Sequence, residues 1–340
     1  MSRLTLYIPG LLDFTRHNLF EDFTEPVSLA TILGHADKSH IDAPGYCPQL
    51  ARLFGLTLPG EADFPAAAIT RLIDDAARPQ GVWMRADPVH LSTGAHGMTL
   101  FDVTRLQLEQ HEALALGAKL QSLFKEHQLH LEVPSTDRWY VQLPAGPGVQ
   151  TVDLAMVRGQ SILNLMPRGR DRAEWLTFIN EIQMQLHDCD INRLREDSGK
   201  LPVNSLWFWG SGELPAILPR TWSRVYSDDA LVQGLCMLSG TVCEPVEQFI
   251  INSPQAQGEY LLVLDAVQRC HDYQDIAGWN TWVERIEKQW MRPILNNVHL
   301  GHIRSVKLLT DHAMYHFKKL QLLKFWRGLR KFSDHLREDV

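Results

Sequence analysis

Asp190-Ile-Asn-Arg193, Pro202-Val-Asn-Ser-Leu-Trp-Phe-Trp209 and Gly210-Ser-Gly-Glu-Leu-Pro215 follow one another closely in this 340-residue chain. A polar, helix-like segment gives way to a short apolar run, then to a Gly-Ser-Gly turn. This order predicts a helix, a buried strand and a loop at the strand's carboxyl end, where open α/β sheets bind ligands. It points to the scaffold of a small-molecule enzyme, although the chain carries no complete catalytic motif.

The same alternation extends in both directions. Residues 4–12 read as a strand ending in a Pro-Gly turn, followed by a helix at 27–35 and loops rich in Pro and Gly. Residues 64–77 have helical spacing, and 81–85 reads as a strand stopped by Asp87-Pro88. A long helix is expected over 104–127, strands over 139–143 and 161–166, and a helix over 172–187 with Asp171 as its N-cap. Residues 260–265 form a buried-strand pattern ending in a carboxylate. A helix over 281–295 and a strand over 305–310, running into Asp311-His312, complete the series. Strand and helix signals alternate throughout, so the fold class is α/β.

Composition sets the outer bounds. The content is 45% hydrophobic and 21% charged with a formal charge of −7, which gives no reason to expect nucleic-acid binding. No apolar run approaches the roughly 18 residues that suggest a membrane span. The apolar N-terminus has only Arg3 before it and no small-residue cleavage site after it, so a first strand is expected rather than a secretion signal. Five cysteines, Cys47, Cys189, Cys236, Cys243 and Cys270, contain no C-x-x-C pair. Structural zinc and a disulfide framework are not expected, and a reducing cytoplasm is the simplest location.

The opening stretch resembles the archaeal-type cofactor-independent phosphoglycerate mutases of the alkaline-phosphatase superfamily. The residues that carry the likeness are Ile191, Asn192, Arg193, Val203, Asn204 and Gly210-Ser211-Gly212. Glu61–Asp74 with Trp83-Met-Arg85 looks like that family's entry into an inserted substrate domain. Residues 4–12 look like its first strand, and 305–312 like its strand ending in Asp-His. More locally, the chain is similar to the bacterial group called RpfE-like regulatory proteins. The resemblance implies an alkaline-phosphatase-like core, from residues 1–60 and 241–340, with a second α/β domain inserted at 61–240.

Such mutases need a serine to attack the substrate phosphate and two divalent metals (Mn, Zn or Mg) to polarise it. Their first strand ends in an Asp-Gly that supplies a metal ligand, whereas this chain has Pro9-Gly10. Where the serine should fall stands Tyr46-Cys47-Pro48, and Ser39 lies too far upstream. Cys47 is the substitute nucleophile that remains. Asp265, Asp311 and His312 are the vestigial metal candidates, with His271-Asp272 near another ligand-bearing stretch. Arg85, Arg168, Arg170, Asn192, Arg193 and Asn204 are the candidate ligand-binding residues, for a small phosphorylated or carboxylated compound. Trp209 stands where many such mutases place an arginine, exchanging a phosphate donor for a stacking surface.

Other clusters read as ordinary structure. His187-Asp188-Cys189-Asp190 is consecutive, so its side chains do not converge as metal ligands would. Gly94-Ala-His-Gly97 lacks the Walker lysine, and Gly210-Ser211-Gly212 is not a nucleophile elbow. Finally, residues 315–337 combine seven basic residues with apolar positions at three- and four-residue spacing. That pattern predicts a basic amphipathic helix suited to a protein partner or an anionic membrane surface.

The expected function is that of a catalytically degenerate mutase homologue with a regulatory or ligand- and partner-binding role. The alternatives are an active metal-dependent phosphomutase or phosphatase with a rearranged site, and an interaction module built on the C-terminal helix.

Overall fold

The computed structural model describes residues 2–21, 23–41, 45–58, 60, 62–75, 78–94, 97–249, 257–323 and 330–337. The chain divides into two compact units, residues 1–55 with 218–340, and residues 56–217. The first unit opens with β1 (Ser2–Tyr7), α1 (Val27–His35), β2 (Asp37–His40) and α2 (Tyr46–Phe54). The second begins with α3 (Ala66–Asp74), β3 (Val82–Gly94), β4 (Gly97–Phe101), α4 (Val103–Leu106) and α5 (Gln110–Glu126). It continues through β5 (His130–Glu132), β6 (Tyr140–Leu143), β7 (Val149–Gln150) and β8 (Arg168–Gly169), then α6 (Arg172–His187), α7 (Asp190–Asp197) and β9 (Ser205–Gly212). The chain returns to the first unit with β10 (Arg224–Tyr226), α8 (Ala230–Ser239), β11 (Cys243–Glu244), β12 (Glu259–Val263) and α9 (Ala266–Asp272). There follow α10 (Ile276–Ile286), a π-helical segment at Glu287–Met291, α11 (Arg292–His299), β13 (Ile303–Leu309) and β14 (Ala313–Phe317).

The sheet of the first unit runs β11-β10-β12-β1-β13-β14-β2. Its first five strands are parallel, and β14 and β2 add antiparallel. In register, Leu6 of β1 sits between Leu262 of β12 and Leu308 of β13, all three fully buried, as the near-continuous apolar runs of a covered parallel sheet require. Trp279, Trp290, Phe317 and Phe332 fill the core around them. One buried acid has a clear purpose there. Glu287 in the π segment accepts the backbone N–H groups of Ser28 and Leu29 at 3.0–3.1 Å, satisfying the first turn of α1, which Pro26 cannot cap.

The second unit is built on an antiparallel sheet, β4-β3-β6-β5, with β9 also paired to β3. Helices α5 and α6 pack over it through Leu116, Leu120, Phe124, Phe178 and Ile182.

Several sequence expectations change here. Strand β3 runs straight through Asp87-Pro88. Proline lacks an N–H, but that side of β3 faces a gap between its pairing with β6, which ends at Arg85, and with β4, which begins at His90. Gly210-Ser211-Gly212 continues β9 instead of forming a loop. Gly210 has φ +64°, and a Cβ there would meet the Ala66 side chain at 2.6 Å, so glycine is needed for close approach to α3. Residues 161–166 form turns, joined to β4 by a single bridge at Ser161. The expected helix over 104–127 breaks at Gln107, which is left-handed at φ +50°, leaving α4 and α5. Residues 218–240, assigned from sequence to the inserted domain, lie in the first unit because β10 pairs with β12. Ala76, Ala77, Ala95 and His96 fall outside the described residues.

The basic C-terminal helix is also corrected. Tyr315 and Phe317 belong to strand β14, with short 3-10 turns at Lys319–Leu323 and Phe332–His335. Phe317, Phe332 and Leu336 are buried, because the strand and the last turn both pack into the core. Lys324, Trp326, Arg327 and Leu329 lie outside the described residues. No described helix is long and apolar enough to cross a membrane.

Candidate functional site

The parallel strands of the first unit place their carboxyl ends side by side. There, β1 runs into Pro9-Gly10, β10 into Ser227-Asp228-Asp229, β12 into Asp265 and β13 into Asp311-His312. Helix α2 opens with Tyr46. This edge gathers the titratable groups of the unit into two sets.

The first set surrounds Asp311. The Gly10 N–H donates to its Oδ2 at 2.5 Å, and Gly10 (φ +76°) has no room for a side chain, since a Cβ would lie 2.8 Å from the Gln268 Cα. Burial, and then the neighbouring charge of Asp13, push the Asp311 carboxyl up to about 8. Asp311 therefore keeps its proton beside Asp13. Asp13 is in turn held by Arg337, whose Nη2 lies 2.9 Å from Oδ1. The same guanidinium nitrogen donates to His312 Nε2 at 2.6 Å, and that nitrogen is 3.5 Å from Asp13. His271 stands nearby with its imidazole raised above the ordinary range by Asp272, 3.9 Å away, and by Asp13.

The second set surrounds Asp229, whose carboxyl burial raises to about 6, with the charge of Asp265 adding to it. Asp229 caps α8 by accepting from the Val232 N–H at 3.0 Å. The Tyr46 hydroxyl feels this carboxylate and that of Asp265, yet is buried without a well-aligned hydrogen bond. Burial first, and then those charges, keep Tyr46 well above the usual phenol range. Asp265 pairs with Arg269 one helical turn on.

These placements bear on the expected residues. Asp311 and His312 come together around Asp13, while Asp265 groups with Asp229 and Tyr46. Cys47 is buried in the first turn of α2, and Ser39 lies in β2 with its hydroxyl on the Met314 carbonyl. In the second unit, Arg85 is buried, paired with Asp87 at 2.8 Å and donating to the Asp137 carbonyl. The indole of Trp209 lies 5.3 Å from the Arg85 guanidinium and donates to Asp87 Oδ2 at 2.7 Å, so its stacking surface is used internally. Asn192 is a buried clamp, donating to the Leu186 and Val203 carbonyls and accepting from the Val203 N–H. Asn204 bonds both backbone groups of Leu91. Arg168, Arg170 and Arg193 are exposed, on the Asn164 carbonyl, Asp171 and Asp190 respectively. Asp171 makes no side-chain cap for α6.

Asp13 and Asp229 had no role at a site in the sequence reading, Tyr46 entered only by its position, and Arg337 only as one of the basic residues near the C-terminus. Only Asp229, polar and directly before the apolar run of α8, left a local signal, that of an N-cap.

The resemblance to those mutases implies a pair of divalent metals at this edge, and the residues present do not fit them as placed. A guanidinium cannot ligate a metal, and Arg337 takes the His312 lone pair and the Asp13 oxygen that ligation needs. Among the described residues, no group of three or more His, Cys, Asp or Glu side chains is arranged to hold a metal ion.

No family model matches the chain. A stretch of 132 residues, 37% of this chain, is 29% identical to a probable 2,3-bisphosphoglycerate-independent phosphoglycerate mutase of Geobacter sulfurreducens, covering 33% of that protein. A stretch of 88 residues, 25% of the chain, is 30% identical to the 2,3-bisphosphoglycerate-independent phosphoglycerate mutase of Methanosarcina acetivorans, covering 21% of it. These matches span a third or less of the relatives' own length. Among solved structures, the PH0037 protein of Pyrococcus horikoshii superimposes with a TM-score of 0.53, covering 93% of this chain and 87% of that one at 14% identity. Over about a third of its length the chain is similar in sequence to proteins named as phosphoglycerate mutases, and its α/β fold is like that of the PH0037 protein.

The raised Asp311 carboxyl gives a pH prediction. Asp311 has a folded pKa of about 8 against 3.8 for the free group, so the protonated carboxyl is favoured in the folded state. Its stabilisation is complete below about pH 4 and is lost as pH rises through the folded value. Asp229 acts in the same direction up to about 6. The urea midpoint is expected to fall between these limits, by an amount worth a few kcal/mol. Asp311→Asn, which mimics the protonated acid, should flatten the fall and exceed the wild type in alkaline buffer. Identical pH profiles for the two proteins would rule out a raised Asp311 carboxyl as the cause.

Proposed function

We propose that this chain is a catalytically degenerate relative of the phosphoglycerate mutases that acts by binding a ligand or partner in a regulatory role. The observation carrying the reading is the Arg337 contact. At the edge where such an enzyme would place metal and nucleophile, three of the acids are held from within. Arg337 neutralises Asp13, a proton and the Gly10 N–H hold Asp311, and Arg269 pairs Asp265. A tyrosine whose hydroxyl is held protonated by burial and by the nearby Asp229 and Asp265 charges stands near the position where the resemblance expects an activated serine. Partial similarity to proteins named as mutases supports a shared ancestry of the chain with them.

Purified full-length chain should contain no stoichiometric Mn, Zn or Mg. With each metal added, it should interconvert 2- and 3-phosphoglycerate no faster than buffer, and the same is expected for a generic phosphate ester. Metal-dependent turnover, or two metals lost together on Asp13→Asn with Asp311→Asn, would overturn the reading. A thermal-shift screen of phosphorylated and carboxylated metabolites on the same preparation then tests the ligand-binding half.

A further inference from the structure

Helix α8 and the edge strand β11 meet in a tight turn that brings two cysteines together. Cys236 lies in the last turns of α8 and is 1% exposed, whereas Cys243 begins β11 and is partly exposed. The turn is fixed at several points. Gly240 is left-handed at φ +60°, the Thr241 N–H donates to the Cys236 carbonyl at 2.9 Å, and the Ser239 hydroxyl donates to the same carbonyl at 3.2 Å. Cys243 follows Thr241 by two residues and is held in register with Val225 of β10. Its Sγ lies 3.8 Å from the Ser227 carbonyl oxygen. The two thiols are near enough for each to shift the other's ionisation, and both are free.

We propose that Cys236 and Cys243 form a dithiol that a low-molecular-weight disulfide oxidises to an intrachain disulfide, making this corner of the first unit a redox-modification site. The two side chains have different parts. Cys243 is the one a reagent reaches, and the neighbouring Cys236 thiol holds it below the usual thiol range. Its thiolate attacks the reagent disulfide RS–SR, forming Cys243–S–S–R and releasing one RS⁻. Cys236, once it gives up its proton to solvent, attacks the Cys243 sulfur, and the second RS⁻ leaves. Two thiols are oxidised and one RS–SR is reduced to two RSH. Nothing has to enter the core, because the buried partner reacts only with its neighbour. The bond would tie the end of α8 to β11, and the start of α8 is capped by Asp229 at the candidate site. The inference stands apart from the proposed function, since neither cysteine belongs to the carboxyl-edge sets.

The full-length chain is incubated with oxidised glutathione in mildly alkaline buffer, alkylated and digested without reduction. The expected product has lost two hydrogens, yields one cross-linked pair of peptides containing Cys236 and Cys243, and returns to two alkylatable thiols with dithiothreitol. Cys236→Ser should stop at a glutathione adduct on Cys243, and Cys243→Ser should leave Cys236 reduced. A wild type that accumulates the same adduct as Cys236→Ser, or that keeps both thiols alkylatable, would overturn the proposal.

Discussion

Asp87→Ala is expected to destabilise the second unit by about 3–5 kcal/mol, the cost typical of removing one partner from a buried ion pair. Asp87 lies in the middle of β3 and collects three donors. Arg85 reaches Oδ1 at 2.8 Å, the Trp139 N–H reaches it at 3.3 Å, and the Trp209 indole reaches Oδ2 at 2.7 Å. Burial pushes the Asp87 carboxyl up even though Arg85 pulls it down, so the pair is held at a desolvation cost. Alanine would strand the Arg85 guanidinium with only the Thr70 hydroxyl and the Asp137 carbonyl. Urea unfolding of the full chain, with hydrogen exchange at β3 and β9 to locate the change, measures the effect. An Arg85→Met/Asp87→Leu double variant should recover most of the loss. If the double variant is as unstable as Asp87→Ala, the unpaired charge is not the cause.

Arg195→Met should cost a similar amount, again about 3–5 kcal/mol. Arg195 is 1% exposed and ties three separate segments together. It donates to Glu112 at the start of α5, to the Leu106 carbonyl at the end of α4 and to the Leu201 carbonyl beyond α7, at 2.5–3.0 Å. Methionine fills much of the volume but leaves a carboxylate and two carbonyls without their donor. Glu112→Gln should be milder, because the amide oxygen still accepts from Arg195. A smaller loss for Arg195→Met than for Glu112→Gln would show that the carbonyl contacts contribute little.

How much of this was legible beforehand depended on where each partner lies in the chain. Helices α1 and α6 agree with their expected bounds at both ends, since loop-forming residues flank their apolar spacing. Leu106 and Leu108 kept the helical rhythm across the break at Gln107 because both are buried in one core, so periodicity alone could not detect a left-handed residue between them. Pro88 read as a stop because the gap in pairing that accommodates it depends on β4 and β6, which local sequence does not place. At the candidate site, Asp265, Asp311 and His312 could be found as polar residues closing apolar strands. Asp13 and Arg337 could not, since they come from irregular segments at opposite ends of the sequence and acquire meaning only from each other. The seven basic residues near the C-terminus misled for the same reason. Spacing suggested a free amphipathic face, whereas Phe317, Phe332 and Leu336 are core residues and Arg337 is spent on an acid.

The division of the first unit between the two ends of the chain has a consequence for biosynthesis. Leu6 must wait for Leu262 and Leu308 before its strand has neighbours, while every strand of the second unit lies within residues 82–212. A ribosome therefore releases a segment able to complete its own sheet while the apolar β1 is still unpaired and exposed. Translation that stalls after residue 217 would leave one finished sheet joined to a bare, aggregation-prone strand, which is the kind of nascent chain that holdase chaperones bind.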